Sequence, residues 1–171
     1  MKIKHLVLPL ALCCSSAVFA ANNGTLGATS TGDTDVTITI GDVVQVSVEQ
    51  DVNLTYTPGV DSTGTTGLCI YRNSDADVDV TLTSANDNAG AFRMADGTNF
   101  ITYSVDLSGS TTALTGIASA FLNTLSDEDN TSSSCSGGYS HDLDVTVTAA
   151  NLDAAQAGTY SDTVTVLVAP N

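Results

Sequence analysis

The C-terminal stretch AGTYSDTVTVLVAPN, residues 157–171, decides the fold class of this chain. Val164, Val166 and Val168 share one parity, whereas Ser161, Thr163 and Thr165 have the other. Because side chains alternate between the two faces of a strand, this pattern predicts a half-buried β-strand. The strand runs almost to Asn171, so no later residue of the given sequence can flank it. We therefore expect one open strand edge, which is a site where another chain can pair.

Similar alternation recurs along the chain, and clusters of glycine, asparagine, aspartate and serine separate the repeats. Short alternating strands with frequent turn signals predict an all-β sandwich. The stretch 111–125 is interpreted as a loop that contains at most a short helix or strand. Further strands are predicted at residues 43–48, 53–57, 67–72, 77–84, 91–94, 99–107 and 142–149.

The segment DVTITI, residues 35–40, carries the same alternation ahead of the predicted domain. It follows a small, polar, glycine-rich lead-in, which is typical of a flexible segment. Gly41 and Asp42 separate it from the strand at 43–48, and glycine inside a strand pattern often marks a bend or bulge. The two segments therefore need not lie in the same sheet, or even in the same subunit.

The N-terminus, MKIKHLVLPLALCCSSAVFA, has the three parts of a secretory signal. Two lysines come first, an apolar run follows, and Val18 and Ala20 provide the small residues of a cleavage site. We predict a signal peptide at residues 1–20 and a mature chain that begins at Ala21. A lipoprotein signal is the weaker alternative, because no suitable small residue precedes either cysteine of this segment.

The mature chain is strongly acidic. Arg72 and Arg93 are its only lysine or arginine residues, against 19 acidic residues. Phosphate binding needs a basic face, so nucleic acid is excluded as a partner class, and an anionic membrane surface is disfavoured for the same reason. The simplest role of the acidic residues is to keep a β-rich protein soluble. No apolar stretch of membrane-spanning length follows the signal, so no membrane insertion is expected after cleavage.

Two cysteines, Cys69 and Cys135, remain after cleavage. A cysteine pair in a secreted chain predicts a disulfide, and closing a loop of this length stabilises a fold by about 4 kcal/mol in the chain-entropy model. A metal site is the poorer alternative, because the pair lacks CxxC spacing and His141 is the only histidine of the mature chain.

No motif predicts catalysis or a cofactor. The sequence contains no GxSxG nucleophile pattern, no phosphate-binding loop and no metal triad, so we expect no enzyme activity. Asp75, Asp77 and Asp79 resemble the first ligands of an EF-hand, but valine and asparagine stand where that loop needs glycine and glutamate. These carboxylates are better interpreted as the solvent face of a strand. Weak calcium binding at residues 126–130, SDEDN, remains an unspecific alternative.

Tyr160 follows a glycine turn at the start of the terminal strand, in the segment AGTY. This placement is typical of the tyrosine corner of Greek-key sandwiches, in which the hydroxyl group binds upstream backbone. An edge tyrosine with a hydrated hydroxyl is an equally simple interpretation.

Three stretches carry a resemblance to a known family: GLCIYRN, VDVTLTSANDNAGAFRMADGTNFITYSVDL and AGTYSDTVTVLVAP. In this order the chain resembles the spore-coat-protein-U-like and archaic chaperone-usher pilin subunits of Gram-negative bacteria. The resemblance implies an incomplete immunoglobulin-like β-sandwich. It also implies a periplasmic chaperone, an outer-membrane usher, and completion of each domain by the N-terminal strand of the next subunit. The ending LVAPN departs from the aromatic-tipped terminal strand of the family.

The resemblance implies a structural subunit of an extracellular pilus or fimbria. Such a subunit would be secreted through the periplasm, would polymerise with copies of itself, and would serve adhesion or biofilm formation. A self-complete secreted β-sandwich that binds a glycan or calcium is the alternative, although the chain has few aromatic residues for stacking on sugar.

The implied assembly assigns a role to each part of the chain. Residues 21–42 form the lead-in and candidate donor strand, and residues 43–171 form the domain. The candidate donor residues that insert into the neighbouring subunit are Val36, Ile38 and Ile40, and the candidate acceptor groove lies along Val164, Val166 and Val168.

Overall fold

The computed structural model describes residues 23–109, 113–126 and 128–171. The predicted signal peptide lies outside these residues. The described chain is built mainly of β-strands, which confirms the all-β class. Its elements are β1 (Val44–Val48), β2 (Ser62–Arg72), β3 (Val78–Ser84), β4 (Phe92–Asp96), β5 (Asn99–Ser108), β6 (Ala113–Leu114), β7 (Leu122–Leu125), β8 (His141–Val147), the short helix α1 (Ala149–Asp153) and β9 (Val164–Pro170).

The strands form two antiparallel sheets. The larger sheet has the order β1-β2-β8-β5-β4, with β6 attached to β5, and the smaller sheet has the order β7-β3-β9. In the smaller sheet β3 is central, and it pairs with β9 from Val78 opposite Pro170 to Ser84 opposite Val164. Within the described residues, β9 is therefore an edge strand.

The core contains the alternate side chains of both sheets. In β3, for example, Val78, Val80 and Leu82 are fully buried while the residues between them are partly exposed. Burial of each such side chain contributes about 1.5–3 kcal/mol. The same core includes Leu68, Ile70, Phe92, Ile101, Tyr103, Val105, Leu107, Leu125, Leu143, Val145 and Val147.

Most predicted strands are present, with shifted ends. The predictions at 77–84, 99–107 and 142–149 correspond to β3, β5 and β8. β2 starts earlier than predicted, because residues 62–66 also pair with β8. The stretch 111–125 contains β6 and β7, and α1 was not predicted.

The predicted strand at 53–57 is wrong. The hydroxyl groups of Ser62 and Thr66 bond to backbone groups of Thr55 and Gln50, so this segment joins β2 through side chains instead of a backbone ladder. Alternation alone cannot distinguish these two kinds of attachment, because both leave alternate side chains on opposite faces.

Residues 35–40 do not form a strand in the structure. The chain divides between Ile40 and Gly41, so that this segment belongs to a separate unit from Gly41–Asn171. A strand needs a hydrogen-bonded neighbour to be stable in water. This segment therefore has the apolar alternation of a strand but no paired strand among the described residues.

The predicted disulfide is confirmed. Cys69 of β2 is bonded to Cys135, and their Cα atoms are 5.7 Å apart. The bond holds the loop before β8 against the larger sheet. Among the described residues, no helix has the length and apolar character needed to span a membrane.

Candidate functional site

The candidate site lies at the seam between the edges of the two sheets. β1 is an edge of the larger sheet and β9 is an edge of the smaller sheet. The two strands lie beside each other, but no ladder joins them in the part of the chain that the structure describes. β9 is paired only with β3. Its other side presents backbone groups to which an added strand can bind.

Arg72, the last residue of β2, closes one end of this seam. Its Nε atom lies 3.1 Å from each carboxylate oxygen of Asp42, and its Nη2 atom forms an ion pair with the same group. The guanidinium also donates to the carbonyl oxygens of Asp77 and, at 3.4 Å, of Asn171. Arg72 is only 3% exposed. A buried cation therefore joins the segments that precede β1 and β3 to the residue that follows β9.

Asn73 extends this contact to the neighbouring backbone. Its Oδ1 atom accepts from the Val43 N–H group at 2.9 Å, and its Nδ2 atom donates to the Gly41 carbonyl at 2.8 Å. The Asn73 N–H group donates to the Val43 carbonyl at 3.2 Å. We call the contact of Arg72 and Asn73 with residues Gly41–Val43 the clasp.

The clasp also keeps its carboxylate charged. The hydrogen bond from the Arg72 side chain lowers the pKa of Asp42, and the positive charge of Arg72 lowers it further, against an opposing effect of partial desolvation. Both partners are therefore ionised at neutral pH, and the contact is a charge-assisted hydrogen bond.

The other end of the seam opens into a groove of about 1010 Å³. One wall is the segment 50–56, and the opposite wall runs from α1 to the start of β9. An apolar floor between two backbone segments suits an extended peptide that carries apolar side chains at alternate positions. The floor is formed by residues of β5 and β8, namely Ile101, Tyr103, Leu143, Val145 and Val147.

Two buried hydroxyl groups of β2 hold the first wall. Thr66 Oγ1 accepts from the Gln50 N–H group at 3.2 Å and donates to the Gln50 carbonyl at 2.7 Å. Ser62 Oγ makes the same pair of bonds with Thr55, at 3.2 and 2.9 Å. These bonds satisfy the backbone at both ends of the wall, so the segment is ordered without belonging to a sheet.

Gly64 lies between these two hydroxyl residues and lets the wall approach β2 closely. A Cβ atom at Gly64 would lie 2.6 Å from Val52 Cγ1 and 3.0 Å from Leu54 Cδ2. Val52 and Leu54 both line the groove and pack against the core. The missing side chain at Gly64 therefore sets the position of the apolar part of the wall.

Asp162 anchors the opposite wall just before β9. Its Oδ2 atom accepts from the Tyr103 and Ser84 hydroxyl groups, both at 2.6 Å, and its Oδ1 atom accepts from Asn86 Nδ2 at 2.9 Å. Burial, and then the bond to Asp162, raise the pKa of Tyr103 far above its ordinary value. The phenol therefore remains a neutral donor across the physiological range.

The helix α1 closes the groove where the two walls approach each other. Asp153 Oδ1 accepts from the Tyr56 hydroxyl at 2.9 Å, and both of its carboxylate oxygens accept from the Gly59 N–H group. Thr148 caps the helix by accepting from the Asn151 N–H group. The short helix thus connects the first wall to the chain that leads into β9.

Tyr160 lies in the second wall. Its hydroxyl group donates to the carbonyl of Gln156 at 3.0 Å. This is the bond to upstream backbone that the tyrosine-corner interpretation predicts. It stabilises the turn that brings the chain from α1 to β9.

The predicted acceptor residues are divided between the groove and the closed part of the seam. Val164, Val166 and Val168 are all partly buried and pack against the core. Of these three, Val164 lines the groove, whereas the other two lie further along β9. The groove thus meets β9 at its start and not along its whole length.

The predicted donor residues are strongly exposed. The exposed fractions of Val36, Ile38 and Ile40 are 93%, 83% and 76%. A run of three large apolar side chains in water is a feature that marks interaction segments.

Sequence reasoning missed the first wall, the clasp and the Asp162 contact. The alternation at residues 53–57 predicts a strand where the structure has this wall, and the sequence assigns Arg72 no role beyond its charge. The sequence contains one signal for this wall. Two hydroxyl residues and a glycine alternate on one face of a strand, at Ser62, Gly64 and Thr66. No local pattern marks Arg72, because two of its partners, Asp42 and Asn171, are far from it in the sequence.

The described residues contain no group of three or more histidine, cysteine, aspartate or glutamate side chains arranged to hold a metal ion. Of the EF-hand-like residues, Asp79 lies in β3 and accepts from Thr124 Oγ1, while Asp75 accepts from Asn130 Nδ2. These two carboxylates accept hydrogen bonds from neighbouring side chains at the surface of the fold. In the comparisons with known proteins, the chain matches no protein-family model and no curated protein.

Proposed function

We propose that this chain is a structural subunit of an extracellular pilus-like fibre. On this proposal the two sheets form an incomplete immunoglobulin-like sandwich, and the N-terminal segment of one copy completes the groove of the next. Export through the periplasm, with a chaperone and an usher, follows from the resemblance described above. The observation that carries the proposal is the open edge of β9 beside a groove with an apolar floor.

Strand addition explains why both features occur together. Backbone groups along an open edge supply affinity, and apolar side chains at alternate positions supply register. The segment 35–40 has three such side chains, and Thr37 and Thr39 occupy the opposite parity. Burial of each apolar side chain would contribute about 1.5–3 kcal/mol. Three of them would make a junction that dissociates slowly.

A neighbouring copy is a better donor of this segment than the same chain. If the segment folded back as a hairpin on its own domain, the short loop would fix an unsuitable register. If the chain folded back at Gly41–Val43, a three-residue loop would place Ile40 opposite Val44 and Val36 opposite Val48. The apolar residues of the segment would then lie beside β1, and this part of the seam already lies against β9.

The same register would place unsuitable residues beside the groove. Its wall at 50–56 would face residues 28–34, whose sequence ATSTGDT has no large apolar side chain. A fold-back hairpin in this register thus leaves the apolar floor uncovered. A donor segment from a second copy is free of this restriction, because no short loop connects it to β1.

The test is a pair of substitutions on opposite faces of the donor segment. Ile38→Asp would place an unpaired carboxylate in the apolar groove, which is strongly disfavoured. Thr39→Asp adds the same charge on the other face. We expect wild type and Thr39→Asp to form fibres visible by electron microscopy, and Ile38→Asp to remain as folded subunits with an intact disulfide.

Two outcomes would contradict the proposal. Fibres of Ile38→Asp as abundant as those of wild type would place the donor elsewhere. Wild-type protein that remains as discrete monomers, with a melting temperature unchanged by removal of residues 21–40, would indicate a self-complete domain. The glycan-binding or calcium-binding module would then be the better interpretation.

A further inference from the structure

We propose that the clasp is the rigid base of the donor segment and that it sets the bending stiffness of the fibre. This inference rests on the proposed function. The clasp holds Gly41–Val43, and Ile40, the last apolar residue of the donor segment, directly precedes Gly41. No free residue therefore separates the part of the chain that a neighbour would bind from the part that its own domain holds.

We call Gly41–Val43 the link, because these residues connect the donor segment to the domain. The hydrogen bonds of the clasp involve each of the three. The Gly41 carbonyl and both backbone groups of Val43 bond to Asn73, and the side chain of Asp42 bonds to Arg72. A link fixed at consecutive residues has few accessible conformations. The same three residues, if released, would form a flexible connection between neighbouring domains.

Arg72 connects the link to several parts of the domain. Its guanidinium bonds to the segment before β1, to the carbonyl of Asp77 before β3, and to the carbonyl of Asn171 after β9. These residues flank strands of both sheets. The orientation of the link is thus defined relative to the rigid core and not only relative to the edge strand β1.

Stability alone does not account for this arrangement. Burial of a guanidinium carries a desolvation penalty, and apolar side chains often replace a buried ion pair without loss of stability. Asp42 is also partly exposed, with a side-chain exposure of 38%, which weakens the ion pair through solvent screening. The bonds of Arg72 and Asn73 do, however, define one geometry for the link.

The test compares the bending stiffness of fibres made by clasp variants and by a control. Arg72→Gln removes the positive charge and the bidentate guanidinium group. Asn73→Ala removes the side-chain bonds to the Gly41 carbonyl and the Val43 N–H group, and it leaves Arg72 and the backbone bond from residue 73 to Val43 in place. The control is Arg93→Gln: Arg93 lies 4.3 Å from the ring centroid of Phe100 and bonds to the Asn86 carbonyl, away from the clasp.

Stiffness is measured as the persistence length of fibres traced in electron micrographs. We expect each clasp variant to form fibres whose persistence length is at least about two-fold shorter than that of wild type, because each loses part of the bonding that fixes Gly41–Val43 and the connection between domains becomes more flexible. The control should match wild type. Thermal melting of the unassembled subunits measures domain stability separately. A loss of domain stability alone would not shorten the persistence length relative to wild type.

The outcomes separate this inference from the proposed function. If wild-type protein forms no fibres, both fail. If wild-type fibres form and the two clasp variants give fibres of unchanged persistence length, the clasp inference is overturned and the proposed function stands. If Arg72→Gln does not fold, Asn73→Ala decides the question, because it removes no buried charge.

Discussion

The seam between β1 and β9 is closed by polar contacts at one end and forms an open groove at the other. At the clasp, the Asn73 side chain binds the backbone of Gly41 and Val43, the Arg72 side chain binds the Asp42 carboxylate, and the seam is closed. At the groove, β9 starts without a partner on its outer side, and apolar residues form the floor. One end is closed by contacts within the chain, whereas the other end is an open groove with an apolar floor.

The difference shows that the seam is not open or closed as a whole. Along the same seam, the availability of backbone groups depends on whether side chains from a neighbouring segment reach them. Ser62 and Thr66 satisfy one wall of the groove, and no equivalent side chains are present on the outer side of β9 among the described contacts. The four predictions below test this contrast, from the largest effect to the smallest.

Loss of the disulfide should weaken the clasp end more than the groove end. The loop that Cys135 holds bonds to β2 through Asp129, whose carbonyl accepts from the Arg72 N–H group at 3.1 Å. Replacing Cys69 and Cys135 by serine should lower the free energy of unfolding by about 4 kcal/mol. Chemical denaturation measures the loss.

Hydrogen exchange locates the effect of that replacement. The Arg72 amide should exchange faster in the native state of the double variant, and the Thr66 amide, in the strand beside the groove, should be less affected. Unchanged unfolding in denaturant, or equal acceleration at both amides, would contradict the prediction.

The substitution of alanine for glycine should have different effects at the two ends. At Gly64 a Cβ atom would meet Val52 Cγ1 at 2.6 Å, whereas at Gly41 it would meet nothing within 4 Å. We expect Gly64→Ala to lower the free energy of unfolding by about 2 kcal/mol through overpacking, and Gly41→Ala to be neutral or slightly stabilising. Thermal melting of both variants checks the contrast, and equal melting temperatures would disprove it.

Removal of the Tyr103 hydroxyl should loosen the second wall of the groove. Tyr103→Phe deletes one donor to Asp162 but leaves the bonds from Ser84 and Asn86. We expect a loss of about 1 kcal/mol at neutral pH. Because the folded protein raises the pKa of Tyr103, its contribution is complete below the unfolded value of about 10 and is lost as pH rises above it.

A melting series in alkaline buffers measures this dependence. Wild type should lose stability more steeply above about pH 10 than Tyr103→Phe does. Parallel curves for the two proteins would show that the Tyr103 phenol does not titrate with unfolding.

The smallest effect concerns acid and the clasp. The folded protein lowers the pKa of Asp42, so the stability that this carboxylate contributes is present above its unfolded value of about 4 and is lost as pH falls below it. Asp42→Asn should therefore show a shallower acid transition than wild type. Thermal melting between neutral pH and about pH 3 tests this, and identical slopes would contradict it.

The strands of the core were predictable because their signal is local. In residues 77–84 and 99–107, buried and exposed side chains alternate with period two, and that alternation reflects one buried face per strand. The disulfide was predictable from another local fact, since the mature sequence has two cysteines behind a predicted secretory signal. The segment 53–57 shows the limit, because the same alternation there accompanies attachment by side chains.

The sequence by itself thus determined the all-β class, the disulfide pair and the alternating apolar pattern of residues 35–40. Only the tertiary structure decided where the open edge becomes a groove and where it is closed. The physical reason is that both features depend on residues far apart in the chain. Arg72 meets Asp42 and Asn171, and Tyr103 meets Asp162, only after the two sheets have packed on their shared core.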